Sequence, residues 1–257
     1  MPRHATPSDI PTPSTAFQAS DHAADNKIHV LLAASGSVAT IKIPHILSAL
    51  SIYPTLSIRL VLTTASLLFL PPLTTLLSTT PNLDSIHLDH HEWPAALSPE
   101  SYIVADTMPL APGSESERDL ESVGFNASIW TRVGDPILHI ELRRWADILL
   151  IAPLSANSLA KIVNGFSDNL LLSVVRAWDT AKPIACAPAM NTLMWEHPVT
   201  AKQIGVLEEE WSWFTVLRPV EKVLACGDSG SGAMREWTDI VQWLVDRLKL
   251  EKPDPDQ

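Results

Sequence analysis

The sequence predicts an α/β fold in which one parallel sheet is covered by helices on both faces. Two short apolar runs, Ile28–Ala34 and Asp147–Pro153, have the length and the continuous hydrophobicity of strands that are buried on both sides. Small polar residues follow each run, and the next segment carries apolar residues at helical spacing. Ligands of such sheets bind beyond the carboxyl ends of the strands. We therefore expect a ligand site at the turns that follow these strands.

Length and composition favour a single folded domain with flexible additions. The 257 residues, 46% of them hydrophobic, are sufficient for one substantial α/β core. We assign this domain to residues 27–250, after a disordered extension over 1–26 and before a short tail over 251–257. Residues 94–126 are rich in Ser, Pro, Gly and acidic residues, and this composition predicts a mostly disordered insertion.

Charge and cysteine content limit the classes of partner and compartment. A formal net charge of −11 argues against binding to nucleic acid. Two cysteines without metal-ligand spacing indicate a reducing compartment. The N-terminal residues lack the pattern of a signal or transit peptide, and the most hydrophobic long stretch, Leu60–Leu77, contains two prolines and four threonines. We therefore expect a cytoplasmic protein without a membrane span.

Three strands are predicted in the first half of the chain. A turn of Gly and Ser follows Ile28–Ala34 and leads into a helix; it suits a phosphate group but could equally be a simple connection. Ile58–Thr63 is the second strand, and the hydroxyls of Thr63–Ser66 after it can line a ligand or cap a helix. Ser85–Leu88 is a weaker third strand.

The residues after the third strand are open to two interpretations. Their side chains are of types that bind metal ions: His87, Asp89, His90, His91 and Glu92. The neighbouring Trp93 and the lack of a second group of anchored ligands favour a solvated loop instead, and this loop is our prediction.

Residues 134–169 carry the densest group of candidate site residues. A predicted helix, Leu138–Ala146, begins near His139 and leads into the strand Asp147–Pro153. The polar turn Ser155–Ser158 then lies at the carboxyl edge of the sheet, before a short helix over Leu159–Asn164. We expect the imidazole, which titrates near neutral pH, to lie close to the ligand crevice.

The remaining elements complete the predicted sheet and its helical layers. One helix is apolar nearly all round, which predicts burial in the core or between subunits. Val223–Cys226 enters a loop with Gly227, Gly230 and Gly232, which predicts a flexible flap. Cys186 lies in an apolar strand and is expected to act as a small buried hydrophobe. The helices are Leu170–Trp178 and Trp237–Leu248, and the strands are Lys182–Pro188 and Trp213–Leu217.

Four sequence blocks resemble the phosphopantothenoylcysteine decarboxylases, within the homo-oligomeric flavin-containing cysteine decarboxylase family. The resemblance runs from about Ile28 to Leu248, with a gap at 94–126, and its blocks are Ala33–Ala39, 134–169, Pro188–Trp195 and Ala225–Met234. It implies a Rossmann/flavodoxin-like fold, FMN as cofactor, and a homotrimer with the flavin between subunits. It also implies decarboxylation of 4′-phospho-N-pantothenoylcysteine to 4′-phosphopantetheine and CO2, in coenzyme A biosynthesis.

Three residues match catalytic positions of that family. The resemblance implies that His139 is the base of the oxidative decarboxylation, that Asn191 binds the substrate carboxylate, and that Cys226 donates the proton of the reductive stage. Without the resemblance, His139 could be a surface histidine at a helix start, Asn191 a helix N-cap, and Cys226 an inert thiol.

The resemblance also implies a set of binding residues. Contacts with substrate beyond Asn191 would come from Val223, Ala225 and Met234. Contacts with the flavin would come from Gly36, Ser37, Val38, Thr63, Thr64, Ser66, Ser155, Ala156, Asn157, Ser158 and Ala189.

Two further functions stay open. The chain could be a regulatory flavoprotein paralogue that inhibits a protein phosphatase, and it could form mixed oligomers with paralogues. It could also be a peptide-cysteine decarboxylase that stops at the ene-thiol. The presence of His139, Asn191 and Cys226 together favours the complete reaction.

Overall fold

The computed structural model describes residues 17–92, 134–223 and 229–252, without the side chains of 221–223 and 229. Six parallel strands form the main sheet in the order β3-β2-β1-β4-β5-β6, so the order reverses between β1 and β4. The predicted α/β fold with one parallel sheet is therefore confirmed. The strands are β1 Ile28–Ala34, β2 Leu56–Leu62, β3 Leu83–Leu88, β4 Ile148–Leu154, β5 Ile184–Pro188 and β6 Phe214–Val216.

Helices connect the strands, and an antiparallel hairpin follows the sheet. The hairpin consists of β7 Val220–Val223 and β8 Ser229–Ala233. Short 3-10 turns cover Ala19–His22, Val38–Lys42, Thr64–Phe69 and Asp89–His91, and a π-helical turn covers Val206–Glu210. The α-helices are α1 Ile43–Leu50, α2 Leu73–Thr79, α3 Leu138–Trp145, α4 Ala156–Val163, α5 Leu170–Arg176, α6 Thr192–Glu196, α7 Pro198–Gly205 and α8 Trp237–Leu248.

The sheet separates two apolar cores, because successive side chains of a strand point to opposite faces. On one face, Leu32 of β1 packs with α1 and with Leu244 of α8. On the other face, Leu31 packs with Leu142 of α3 and Leu171 of α5. All are fully buried, and burial of each such side chain stabilises the fold by about 1.5–3 kcal/mol. This two-sided burial explains why the strands are apolar at nearly every position.

The apolar helix α5 is buried within the chain. Leu170, Leu171, Leu172, Val174 and Val175 are all buried in the single subunit. The prediction left open whether the core or another subunit covers this helix, and the structure places it in the core. Any subunit interface must therefore use other surfaces.

The histidine-rich segment after β3 is not the solvated loop that we predicted. His87, His91 and Glu92 are buried, and only His90 is exposed. Burial lowers the pKa of His87 well below its ordinary value and lowers the pKa of His91 to about 4, so both rings are neutral at pH 7. Within the described ranges, no group of three or more His, Cys, Asp or Glu side chains is arranged to hold a metal ion.

Two boundaries also differ from the predictions. Residues 17–26 pack on the domain: Phe17 is buried beneath the Arg59 guanidinium, and Ala19 N–H donates to Glu141 at 2.8 Å. Residues 17–26, which we assigned to the extension, thus belong to the folded domain, because Phe17 and Ala19 hold this polar segment against it. Gly230 and Gly232 lie in β8, not in a loop. The predicted insertion at 94–126 lies outside the described residues, and none of the described helices could span a membrane.

Candidate flavin site

An open cleft of about 460 Å³ lies at the carboxyl edge of the sheet, where the strand order reverses. Its walls come from the segments that follow β1, β2, β3, β4 and β5, which is the position expected for the ligand of a doubly wound sheet. The lining residues are Gly36, Ser37, Thr63, Thr64, Ala65, Asp89, Ser155, Ala156, Asn157, Ser158, Asn169, Ala189, Met190 and Met194.

The floor of the cleft is fixed by one buried hydroxyl. Ser35 Oγ donates to Pro153 O at 3.1 Å and accepts from Ser155 N–H at 2.7 Å. Ser35 follows β1 and Ser155 follows β4, so this hydroxyl joins the two halves of the sheet where they diverge. Thr40 Oγ1 also donates to Ser35 O at 3.2 Å, which holds the first turn against the start of its helical segment.

The turns after β1 and β2 are in direct contact at Gly36. A Cβ atom at this position would lie 2.6 Å from Ala65 Cβ, which is too close for any side chain. Glycine is therefore required for the two turns to form one wall. The prediction of Gly36 as a site residue agrees with its position in the cleft.

Hydroxyl groups line much of the cleft, and several also cap helices. Ser155 Oγ accepts from Ser158 N–H at 3.2 Å and begins α4, and Ser37 Oγ accepts from Ala39 N–H at 3.4 Å. The hydroxyl of Thr63 differs, because it is buried and has no hydrogen-bond partner among the described residues. A buried polar atom without a partner is costly, which indicates that a bound molecule satisfies it.

Two predicted cofactor residues lie outside the cleft lining. Ser66 is fully buried, and its hydroxyl donates to Thr63 O at 2.7 Å. Its observed contact therefore shapes the turn that carries Thr63. Val38 is 45% exposed and lies beside the cleft.

Asp89 is a site residue that sequence analysis assigned to a different environment. Its Oδ2 atom accepts from the N–H and the hydroxyl of Thr64, at 3.3 and 3.1 Å, and its Oδ1 atom accepts from Leu170 N–H at 3.2 Å. The carboxylate thus joins the turn after β2 to the start of α5. The sequence feature that could have identified Asp89 as a site residue is its position directly after β3, at the same sheet edge as Thr63 and Ser155.

The cleft fits a phosphate-bearing cofactor such as FMN. Its volume falls in the range of about 300–1,000 Å³ that is usual for cofactor sites. Among the described residues, its lining contains no Lys, Arg or His, and N–H groups and hydroxyls at the start of a helix are available there to hold a phosphate. The unpartnered hydroxyl of Thr63 supplies a further donor.

Asn191 lies next to the cleft residues Ala189 and Met190 and begins α6. Its Oδ1 atom accepts from Met194 N–H at 2.9 Å, so the N-cap role considered from sequence is present. No hydrogen bond of its Nδ2 group is found within the described part of the chain. A capping oxygen and a free amide donor are compatible, so the cap does not prevent Asn191 from binding a carboxylate.

The hairpin of β7 and β8 packs on the segment that contains Asn191. Met190 N–H donates to Gly232 O at 3.0 Å, and a Cβ atom on Gly232 would lie 2.6 Å from Met190 O. A Cβ atom on Gly230 would lie 2.5 Å from Thr192 Oγ1. These two glycines therefore serve close packing rather than flexibility, and Met234 beyond them is buried.

Three predicted residues of this region cannot be compared with the structure in full. Ala225 and Cys226 lie outside the described residues, and the side chain of Val223, at the end of β7, is likewise not described. The other cysteine, Cys186, is fully buried in β5, and burial raises the pKa of its thiol far above the usual range. Cys186 is therefore the buried apolar residue that we predicted.

His139 lies near the start of α3 and is paired with a carboxylate. Its Nδ1 atom is hydrogen-bonded to Glu92 Oε1, and its side chain is 20% exposed while that of Glu92 is 3% exposed. His139 is not among the residues that line the cleft. The single subunit therefore brings most of the predicted flavin residues into one cleft, whereas Asn191 adjoins the lining residue Met190 and His139 is not part of the lining.

The fold and the cleft define the class of protein. A doubly wound sheet with this strand order binds nucleotide-like cofactors at its reversal point, and the hydroxyl-lined cleft lies there. The family model described as "Flavoprotein" matches residues 18–249. The chain therefore belongs to the flavoprotein family.

Curated relatives narrow this class. A phosphopantothenoylcysteine decarboxylase from Arabidopsis thaliana is 42% identical over 210 residues, which cover 82% of this chain and 80% of the relative. A probable thymidylate synthase from Schizosaccharomyces pombe is 40% identical and is covered over 30% of its length. The phosphopantothenoylcysteine decarboxylase subunit SIS2 from Saccharomyces cerevisiae is 38% identical and is covered over 41%. The match covers 89% and 87% of this chain, respectively, so the chain spans less than half of these last two proteins.

Solved structures agree with these relatives. A PPC decarboxylase with a cysteine-to-serine mutation, complexed with pantothenoylaminoethenethiol, is 38% identical with a TM-score of 0.64, over 87% of this chain and 99% of that chain. The FMN binding protein AtHal3 is 40% identical with a TM-score of 0.64, over 87% and 96%. The predicted resemblance, the Rossmann/flavodoxin-like fold, FMN as cofactor and the enzyme class of FMN-dependent decarboxylases are thereby confirmed.

Proposed function

We propose that the protein converts 4′-phospho-N-pantothenoylcysteine to 4′-phosphopantetheine and CO2, a step of coenzyme A biosynthesis. The observation that carries this proposal is the packing of the β7–β8 hairpin on the Asn191 segment, beside the hydroxyl-lined cleft. This packing brings β8, which belongs to the described part of the Ala225–Met234 block, against a candidate carboxylate ligand and a candidate flavin site. The names of the relatives support the same substrate.

The proposed cofactor contacts follow the lining of the cleft. Gly36 and Ser37 would hold the phosphate or ribityl region through N–H groups and hydroxyls. The turn Ser155–Ser158 would lie at the edge of the flavin ring, Ala189 would contact the ring, and Thr63 would contribute from the turn after β2. Bound FMN supplies a two-electron acceptor and donor for the substrate thiol. With that chemistry available, the thiol could be oxidised to a thioaldehyde, which would give the adjacent carboxylate an electron sink for the loss of CO2 and would leave an ene-thiolate.

Three side chains would manage the charges and protons of this reaction. Asn191 would orient the substrate carboxylate through its amide N–H groups. His139 would accept a proton during the oxidative stage. Cys226 would return a proton to the ene-thiolate intermediate, since a thiol is mostly protonated at neutral pH and can still release its proton. Val223, Ala225 and Met234 remain proposed substrate contacts.

A homotrimer is the proposed assembly. His139 does not line the cleft of its own subunit, and a site shared between subunits would allow a neighbouring subunit to supply this base. Exposed apolar side chains near the cleft support such an interface: Val38, Leu68, Leu193 and Met194 are between 45% and 75% exposed. Mixed oligomers with paralogues are the second possibility, and the word "subunit" in the name of the yeast relative favours it. The low cysteine content supports a cytoplasmic location.

A regulatory role toward a protein phosphatase is the alternative function. It would require a flavoprotein that does not turn over. The measurement that separates the two is anaerobic incubation of the purified, FMN-loaded protein with phosphopantothenoylcysteine, with CO2 and phosphopantetheine quantified. Production of both compounds supports the enzyme, and flavin binding without either product would favour the regulatory role.

Variants of the two proposed proton carriers test the mechanism. Cys226→Ser is expected to release CO2 and accumulate the oxidised ene-thiol, because only the reductive stage is blocked. His139→Asn is expected to retain FMN and release no CO2. Full phosphopantetheine formation by Cys226→Ser, or normal CO2 release by His139→Asn, would contradict the assigned role of that residue.

A further inference from the structure

The pair of Glu92 and His139 is formed by segments that are far apart in sequence. The two residues are separated by 47 positions, and the 3-10 turn Asp89–His91 after β3 delivers Glu92 to the first turn of α3. Glu92 Oε1 is hydrogen-bonded to His139 Nδ1. The carboxylate is buried while the imidazole keeps a partly exposed edge.

This arrangement fixes which ring nitrogen carries the proton. A carboxylate oxygen can only accept a hydrogen bond, so Nδ1 must be the donor. The neutral imidazole then has its lone pair on Nε2, which is the nitrogen that can act as a base. Carboxylates play this part toward histidine in hydrolytic triads and at metal sites, where they set the tautomer and the ring orientation.

The same short segment also shapes the flavin cleft. Asp89, three residues before Glu92, lines the cleft and holds Thr64 and the N–H group of Leu170. The cleft wall and the imidazole are thus attached to one 3-10 turn. Movement of this turn would displace both together.

We propose that Glu92 is a positioning residue for the decarboxylation, holding His139 in the Nδ1–H tautomer with Nε2 available as the base. This inference rests on the proposed function, in which His139 accepts a proton. It adds a residue that would not touch substrate or flavin and would act only through the imidazole.

The test uses the full chain, loaded with FMN and labelled with ¹⁵N-histidine. Long-range ¹H–¹⁵N spectra report the tautomer of His139, whose signal is assigned with His139→Asn. The wild type is expected to show protonated Nδ1. Glu92→Gln keeps the size of the side chain but can donate to Nδ1, so the Nε2–H form should appear. CO2 release should fall by about 10²-fold or more, mainly in kcat, with FMN binding unchanged.

Two further variants separate positioning from packing. Glu92→Asp keeps the carboxylate and is expected to retain the Nδ1–H tautomer and more activity than Glu92→Gln. Asp25→Asn removes the carboxylate charge of another carboxylate–histidine pair, Asp25 with His29 at 3.0 Å, and should change neither the His139 signal nor CO2 release.

Each result tests either the role of Glu92 or the proposed decarboxylase function. Wild-type turnover or an unchanged tautomer in Glu92→Gln would overturn the role of Glu92, as would Glu92→Asp behaving no better than Glu92→Gln. If the wild type binds FMN but releases no CO2, the proposed function fails, whereas the tautomer spectra still decide whether Glu92 orients His139.

Discussion

Two polar cavities lie at opposite edges of the same sheet, and they differ in how their polar groups are satisfied. The cavity at the amino edge, about 290 Å³, has His22, Asp25, His29 and Asp147 among its lining residues, and their carboxylates and imidazoles lie close to one another. Asp25 accepts from His29, and the Asp147 carboxylate also lies near that imidazole, at 3.7 Å from Nδ1. The cleft at the carboxyl edge has a single charged lining residue, Asp89, and a buried Thr63 hydroxyl without a partner.

This difference shows why polarity alone does not identify a binding site. At the amino edge, contacts within the chain occupy the carboxylate and imidazole groups, whereas the buried indole N–H of Trp145 has no partner among the described residues. At the carboxyl edge, the hydroxyls and the N–H groups of successive turns converge on open space. A ligand that satisfies them would recover the cost of keeping them buried.

The largest expected effect comes from blocking the carboxyl-edge cleft at Gly36. In Gly36→Val, the new side chain would collide with Ala65 and separate the turns after β1 and β2. Such overpacking costs about 1–3 kcal/mol, so FMN affinity should fall by up to about 10²-fold. Fluorescence quenching of FMN during titration of the apoprotein measures this affinity.

Gly205→Ala is the matched control for that substitution. Gly205 is helical, and a Cβ atom there would meet only Glu209 Oε1, at 4.0 Å. The variant should bind FMN normally and be more stable by up to about 1 kcal/mol. Equal FMN affinity in Gly36→Val and in Gly205→Ala would contradict the assignment of the cleft.

The next largest effect is the pH dependence of stability, which is expected to differ between the two edges of the sheet. Burial lowers the pKa of His91 to about 4, so the unfolded chain binds a proton before the folded one as the pH falls. The contribution of neutral, buried His91 to the free energy of unfolding should therefore be fully present above about pH 6.5. This contribution should decline by about 3 kcal/mol as the pH falls toward 4. Urea unfolding of His91→Asn should show a smaller decline in the free energy of unfolding between pH 6.5 and 4 than the wild type shows. Parallel pH dependences of the two proteins would refute the lowered pKa of His91.

At the amino edge, the contribution to stability is expected to be lost only at a lower pH. The hydrogen bond to His29 lowers the pKa of Asp25 below its ordinary value of 3.8. The folded-state pKa is depressed, so this contribution is present above the unfolded-state pKa and is lost only as the pH falls through the folded one. Asp25→Asn should leave the slope between pH 6.5 and 4 largely unchanged, which provides the control for His91→Asn.

The smallest expected effect is that of Thr63→Val, which should stabilise the apoprotein but weaken its binding of FMN. Thr63→Val removes the unpartnered buried hydroxyl while keeping the shape of the side chain. The apoprotein should gain about 1 kcal/mol in free energy of unfolding, whereas FMN affinity should fall by about tenfold if the cofactor uses this hydroxyl. Unfolding of the apoprotein measures the change in stability, and FMN titration measures the change in affinity. Unchanged FMN affinity would remove Thr63 from the cofactor contacts.

Much of the fold could be predicted from sequence, because local signals marked many of its elements. The strand Ile28–Ala34 and the helix Trp237–Leu248 have the predicted bounds, since polar turns flank the first and apolar spacing defines the second. Helix α4 begins at Ala156 rather than at Leu159, because Ser155 caps it and the polar residues after the cap are helical. Polar residues in a first turn carry no apolar periodicity, so the pattern could not show this start.

The candidate site could be predicted in part. Its turns follow strands, and that position placed Gly36, Thr63 and Ser155 together. The pairing of Glu92 with His139 could not be predicted, because the two residues are joined only through the packing of β3 against the rest of the sheet. The loop predicted at 87–92 is buried for the same reason, since the tertiary contacts that cover His87, His91 and Glu92 leave no local pattern in the sequence.

The hydroxyl of Ser35 has a consequence for how the cleft can open. Because it joins the turns after β1 and β4 at the point where the sheet diverges, the two halves of the domain cannot hinge apart without breaking buried hydrogen bonds. Access for a ligand must then be controlled from the opposite rim, where the β7–β8 hairpin meets Met190. A rigid floor would keep the cofactor in register while substrate enters the cleft.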